Sequence, residues 1–202
     1  MAQQNLVQSR LSAEKFFEWL EIQELKYELV DGQPVLMAGA DRNHNDIVMN
    51  ATLSIGNQLK GKPCRPYSSD FAIKIPSGNI RYPDMSVDCG GSDGKDKVAN
   101  APALVIEVLS KSTRAIDSHL KLDEYQSIPS IKYILLVDQD AAFVIFHSRN
   151  DEGDWTHQAI IGLDSTIDLK ALNVSISISD LYAGVQFGDR DNAIDVSKMR
   201  PR

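Results

Sequence analysis

Cysteine is scarce in this chain: Cys64 and Cys89 are the two among 202 residues. With no CxxC and no Cys/His cluster, structural zinc is excluded, and so few thiols predict a reduced, cytoplasmic protein. Long apolar runs are missing as well. No stretch approaches the roughly 18 uninterrupted apolar residues of a membrane helix, so no membrane partner is expected. Residues 1–10 are polar and lack the apolar core of a secretory signal. Neither GxxxxGK[ST] nor GxGxxG occurs, which sets aside the nucleotide-loop enzymes, and no GxSxG marks a serine nucleophile. Positive charge is in the minority, with 21 Lys and Arg against 28 Asp and Glu and a net charge of −7. That balance disfavours a broad electrostatic grip on nucleic acid. A local cationic patch is compatible with it, and Lys74, Arg81, Lys95, Lys97, Lys111 and Arg114 are the residues that could form one.

What the chain does contain is enough apolar residue, 43%, for one domain with a real core. Residues 1–186 read as that domain and 187–202 as a loose tail. Ser12 caps a short amphipathic helix carrying Phe16, Phe17 and Leu20. Tyr27 to Val30, Asp31-Gly32 and Val35 to Met37 read as a hairpin around an Asp-Gly turn. Asp41 caps a longer helix to about Lys60, its apolar positions Ile47, Val48, Ala51, Ile55 and Leu59 keeping a 3.6 period. Strands are predicted over 67–75 and 82–88, then a Gly- and Lys-rich loop over 89–101. A strand at 103–109, a helix at 114–127 and a strand at 132–137 form a βαβ unit, the signature of a parallel or mixed sheet. Residues 143–147 and 155–161 look like a following antiparallel pair.

One residue breaks the strongest apolar run. Glu107 lies within Ala103-Leu104-Val105-Ile106-Glu107-Val108-Leu109, which otherwise reads as a fully buried strand. Taking a carboxylate out of water costs several kcal/mol unless a cation or strong hydrogen bonds compensate it. Something should therefore stand opposite Glu107. Upstream, Tyr82-Pro83-Asp84 closes a loop and enters another apolar run. If the two strands pair, Asp84 and Glu107 meet at one end of the sheet. Two carboxylates suit Mg²⁺, which takes one or two of them and completes its shell with water and phosphate oxygens.

Other candidates are more open. On a helical wheel at 100° per residue with Ile116 at zero, Lys121 falls near 140°, between Ile128 near 120° and Tyr125 near 180°. It could pair with Asp117 or reach the strand carboxylates, and spacing leaves both readings standing. Glu28, beside the Asp31-Gly32 turn, reads first as a hairpin carboxylate in water and second as a further ligand. His44 reads first as a capped surface imidazole in a helix's first turn and second as a phosphate binder or a base. His119, His147 and His157 have no partner spacing. Ser110, Ser112 and Thr113 read as turn and cap residues.

Taken in order, Tyr27-Glu28-Leu29-Val30-Asp31-Gly32, Tyr82-Pro83-Asp84, Leu104 to Thr113, Asp117…Lys121…Tyr125 and Tyr133 to Asp138 resemble the Uma-type family of restriction-endonuclease-like proteins, a branch of the PD-(D/E)xK nuclease superfamily. The resemblance runs from about residue 12 to about residue 183. It implies an α/β restriction-endonuclease-like fold, a central mixed sheet flanked by helices, here preceded by the N-terminal helix and hairpin. It implies Asp84 and Glu107 as ligands of Mg²⁺, with Mn²⁺ as a substitute, in a DNA-cleaving homodimer. The superfamily's usual lysine lies two residues after the Glu, where this chain has Leu109. The family takes its lysine from the next helix, which implies Lys121, and Glu28 matches an acidic position in an early element. The expected function is thus a metal-dependent endonuclease with Asp84, Glu107, Lys121 and Glu28 as its catalytic residues. The alternative is a catalytically inactive binding or assembly module on the same fold, motivated by Leu109 and the acidic net charge.

Overall fold

A computed structural model describes residues 10–91, 93–110 and 117–187. The chain opens with helix α1 (Ala13–Leu20), whose first turn is capped by the Ser12 hydroxyl accepting from the Lys15 N–H at 3.3 Å. Hairpin β1 (Tyr27–Val30) and β2 (Gln33–Leu36) follows, turning at Asp31 and Gly32, both at positive φ. Asp41 caps α2 (Arg42–Leu59), whose residues Ile47, Ala51, Ile55 and Leu59 are buried at a helical period.

The strand predicted over 67–75 is instead two. β3 (Arg65–Ser68) ends at a turn closed by the Phe71 N–H on the Ser68 carbonyl, and β4 (Ile73–Lys74) then joins a different sheet. The strand expected over 82–88 is also split, into β5 (Ile80–Arg81) and β6 (Met85–Asp88). Pro83 falls at the break, where it has no ladder hydrogen bond to give. β7 (Pro102–Leu109), α3 (Asp117–Gln126) and β8 (Tyr133–Asp138) form the βαβ unit, with β7 and β8 parallel. β9 (Phe143–Arg149) and β10 (Trp155–Ile161) pair antiparallel as expected. The hairpin of β11 (Thr166–Leu169) and β12 (Val174–Ser177), and the short α4 (Ile178–Leu181), complete the chain. No feature of the sequence had marked the β11–β12 hairpin. The tail expected over 187–202 lies outside the described residues except for Phe187, whose ring sits 5.5 Å from that of Tyr182.

The central sheet is mixed, in the order β10-β9-β8-β7-β6-β3, and a four-stranded sheet in the order β2-β1-β5-β4 stands beside it. α2 and the β12–α4 segment cover the face carrying Leu104, Ile106 and Val108. α3 covers the other, where Tyr125 and Ile128 pack on Val105, Ile134 and Leu136. Burying both faces explains why β7 and β8 read as continuous apolar runs. Among the described residues no helix is long and apolar enough to cross a membrane.

The thiols expected to be reduced are instead joined. β3 and β6 pair antiparallel with Arg65 opposite Asp88, so one step further Cys64 faces Cys89, and the two form a disulfide. Among the described residues, Arg81, Lys74 and Lys97 do not form the cationic patch the sequence allowed. Arg81 is buried, Lys74 and Lys97 are tied to Glu14 and Glu21 of the α1 region, and Lys111 and Arg114 lie outside the described residues.

Candidate active site

β6 and β7 place the first two acids. Met85 pairs with Ile106, Ser86 with Val105 and Val87 with Leu104, so one residue outward Asp84 faces Glu107. Asp84 Oδ2 accepts a 2.7 Å hydrogen bond from the Val108 N–H, which holds the loop residue against the β7 strand. The same oxygen lies 3.1 Å from His44 Nε2, which reaches it from the first turn of α2. Glu107, 7% exposed, is set among buried apolar neighbours as its sequence context demanded.

The expected partners of Glu107 come from α3. Tyr125 donates its hydroxyl to Glu107 Oε1 at 2.7 Å, and the Lys121 ammonium lies 3.6 Å from that oxygen. Lys121 is nearer still to Glu28 Oε1, at 3.0 Å. Of the two readings open for Lys121, the structure thus has the reach toward the carboxylates. Glu28 corrects its first reading as a solvated carboxylate: it is buried, accepting the Tyr82 N–H at 3.2 Å on Oε1 and Arg81 Nη1 at 2.9 Å on Oε2. Arg81 in turn donates through Nε to Glu124 Oε2 at 2.6 Å. Asn79 closes the chain, donating to Glu124 Oε1 at 2.6 Å and accepting the Asp31 N–H at 2.8 Å.

All four sequence-derived residues, Glu28, Asp84, Glu107 and Lys121, are therefore within one cluster. Arg81, Glu124 and Tyr125 belong to it although the sequence assigns them no role in the site, and His44, whose first reading is a surface imidazole, stands against Asp84. The signal for two of them was present: Lys121, Glu124 and Tyr125 stand at i, i+3 and i+4, one face of a helix. Arg81 opens the Arg81-Tyr82-Pro83-Asp84 segment, where the sequence alone suggests only a surface charge. For His44 the sequence signal is its place in the first turn of α2; its contact with Asp84 is not legible there, because it is set by how α2 meets the end of the sheet.

Four carboxylates, Asp84, Glu107, Glu28 and Glu124, thus surround two permanent cations, Lys121 and Arg81. The surplus negative charge falls on Glu107. Burial raises its carboxyl, the Asp84 and Glu28 charges raise it further, and Lys121 and the Tyr125 hydroxyl oppose them; the result is about 7 against an ordinary 4.5. For Lys121, burial works to release the proton, but Glu107 and Glu28 outweigh it and hold the ammonium charged. His44 is likewise raised: burial disfavours its charge, but the hydrogen bond and charge of Asp84 prevail, aided by Asp41 and Glu107. The Tyr125 hydroxyl is held well above its ordinary range by burial and by the Glu107 charge.

Among the described residues no three His, Cys, Asp or Glu side chains converge as a metal cage. A hard divalent ion that keeps most of its waters needs only one or two carboxylates. Asp84 and Glu107 meet that requirement in a specific way. Val108 and His44 both engage Asp84 through Oδ2, and Tyr125 and Lys121 both engage Glu107 through Oε1. Oδ1 of Asp84 and Oε2 of Glu107 have no such contact among the described residues. A cation there would also balance the charge that otherwise leaves Glu107 protonated near neutrality. The donor set fits Mg²⁺ or Mn²⁺.

Residues 13–180 match the family model Uma2, described as "Putative restriction endonuclease". This chain belongs to the Uma2 family. Among its relatives in Synechocystis sp. (strain ATCC 27184 / PCC 6803 / Kazusa), the uncharacterized protein slr1290 is 34% identical over 183 residues, covering 88% of this chain and 94% of that protein. A second, sll1609, is 25% identical over 168 residues, covering 81% and 95%. The fold is similar to the crystal structure of a putative nuclease belonging to DUF820 from Anabaena variabilis. The TM-score is 0.69 at 16% identity, over 85% of this chain and 97% of that one. At that identity the likeness speaks for the fold, and the expected restriction-endonuclease-like architecture is the one found. Uma2 membership supports a nuclease-like function.

Proposed function

We propose that this protein is a Mg²⁺-dependent endonuclease that hydrolyses phosphodiester bonds in DNA, with Asp84 and Glu107 holding the cation. The observation that carries the reading is the pair of facing carboxylates, each engaged by the protein through a single oxygen. When bound, the cation supplies a water of lowered pKa and neutralises charge on the phosphate under attack.

The chain's own residues supply the rest. Val108 and His44 orient Asp84, and Tyr125 orients Glu107. Lys121 carries a fixed positive charge 3.6 Å from Glu107, placed to steady an attacking hydroxide or the negative charge that grows on the phosphoryl oxygens. Glu28 holds Lys121 in that place from the opposite side, at 3.0 Å. Leu109 occupies the position from which the superfamily's lysine usually extends, and it packs against the apolar cluster under α3. An ammonium delivered from α3 answers the main motive for reading the fold as a non-catalytic binding module. The homodimer implied by the family resemblance belongs to the same proposal and is checked by light scattering on the eluting protein.

The test is cleavage of supercoiled plasmid with Mg²⁺ by the wild-type protein, the Asp84→Ala variant and wild type with excess chelator. Nicked or linear product from the first alone supports the proposal. Equal cleavage in all three, or none in any across a range of pH and salt, overturns it.

A further inference from the structure

We infer that Arg81 is a positioning residue for Lys121: by joining Glu28 on β1 to Glu124 on α3, its guanidinium fixes where the Lys121 ammonium stands between Glu28 and Glu107. The inference rests on the nuclease reading of the site and assigns a residue that the metal-binding acids do not account for.

Three features support it. The first is placement. Leu29 pairs with Ile80 across β1 and β5, so one residue along, Glu28 faces Arg81 on the same side of the small sheet. Glu124 lies one turn after Lys121 on α3. A grip on Glu124 therefore sets both the height and the rotation of the turn that carries Lys121. The second is geometry. Arg81 uses Nε for Glu124 and Nη1 for Glu28, at 2.6 and 2.9 Å. A planar fork can bridge two acids from two layers at once; the point charge of a lysine cannot reproduce that. The third is burial. The Arg81, Glu28 and Glu124 side chains are 5%, 8% and 10% exposed, so water screens none of these contacts effectively. Asn79 strengthens the grip by donating to the second Glu124 oxygen.

Glu28 is also divided between two cations. Oε2 faces Arg81 and Oε1 faces Lys121. Without Arg81, Lys121 would be the sole cation for Glu28, and its ammonium would be drawn away from Glu107. A purely architectural ion cluster would hold α3 to the sheet with no dependence on Lys121. The two roles therefore separate in a double-variant comparison.

The experiment measures kcat and KM for Mg²⁺-dependent plasmid cleavage by wild type, Arg81→Lys, Lys121→Met and the double variant. Arg81→Lys keeps the charge that Glu28 and Glu124 need, so the fold is retained while the bridge is lost. The expected result is a fall in kcat of about 100-fold with KM little changed, and a double variant no slower than Lys121→Met alone. Glu124→Gln, which weakens the bridge from its other end, is expected to follow Arg81→Lys and serves in its place should that variant fail to fold. Wild-type kcat in Arg81→Lys, or losses that multiply in the double variant, overturn the inference. If wild type itself cleaves nothing, the nuclease reading fails and the lysine ¹⁵Nζ NMR spectrum decides this one. A Lys121 signal, identified by its absence in Lys121→Met, that moves in Arg81→Lys and Glu124→Gln supports the positioning role. An unmoved signal overturns it.

Discussion

The Lys121 ammonium stands 3.0 Å from Glu28 Oε1, nearer than its 3.6 Å approach to Glu107. Glu28 belongs to the small sheet and Glu107 to the central one, so this lysine ties the two sheets together at the point where the acids gather. Lys121→Met is expected to slow plasmid cleavage strongly, to a residual rate that is still measurable, while leaving Mn²⁺ binding by calorimetry intact, because neither Asp84 nor Glu107 is removed. Loss of Mn²⁺ binding with the lysine would show that its role is to hold the acids in place.

The raised carboxyl of Glu107 gives a pH dependence with a definite sign. Between the ordinary value of 4.5 and about 7 the folded chain holds a proton on Glu107 that the unfolded chain has released. The folded state binds more protons in that window, so metal-free stability falls as pH rises through it. The size is on the order of 3 kcal/mol. His44, also raised, loses stability in the same direction above its ordinary 6.5. His147 acts oppositely: burial and the neighbouring His157 press it down to about 4, so it contributes stability as pH rises from about 4 to 6.5. Chemical denaturation of wild type and Glu107→Gln across pH 4.5 to 7.5, in chelator, isolates the Glu107 part. A slope of stability against pH that is the same in both proteins would contradict the assignment.

His44 supports Asp84 from outside the pair of acids. His44→Ala removes the 3.1 Å contact to Oδ2 and leaves Val108 as the remaining donor to that oxygen. Losing such a support typically costs 10- to 100-fold in metal affinity. Mn²⁺ titration of the variant is expected to fall within that range, with thermal stability little altered. Unchanged affinity would leave His44 without a part in the site.

The cysteine pair predicts a redox-dependent stability. Cys64 and Cys89 are 25 residues apart in sequence and joined across β3 and β6. Closing a loop of that length is worth roughly 3 kcal/mol through the unfolded chain. Reductant is expected to lower the melting temperature of wild type and to leave a Cys64→Ser/Cys89→Ser protein unmoved. Two titratable thiols in unreduced, denatured wild type would show that the bond is not formed.

Much of this site is legible in the sequence. Glu107 announced itself because a single acid inside six apolar residues has few physical explanations. Asp84 followed from a loop ending in Pro and entering the next strand. Both signals are local, since burial of one strand is written in that strand. What could not be read were relations between distant segments. Cys64 and Cys89 carry no local sign of facing each other, because their meeting depends on the β3–β6 register. The division of the 67–75 segment depends on β4 leaving the central sheet for the small one. Arg81 and Glu124, charged residues that would ordinarily be solvated, are withdrawn from water because they pair with each other and with Glu28 and Asn79. Glu28 reads locally as a hairpin carboxylate, and only the family resemblance points it to the site, because its partners arrive from β5 and α3, far along the chain.

Titration of Mn²⁺ into metal-free wild type and Glu107→Gln, followed by calorimetry at pH 8 where Glu107 is ionised, reaches the core of the proposal. One ion bound per chain by wild type, accompanied by little proton release at pH 8 and more at pH 6.5, with no binding by Glu107→Gln, is the outcome expected if Asp84 and Glu107 form a cation site. Wild type that takes up no ion, or a Glu107→Gln protein that binds as tightly as wild type, would mean that the two acids serve the fold alone.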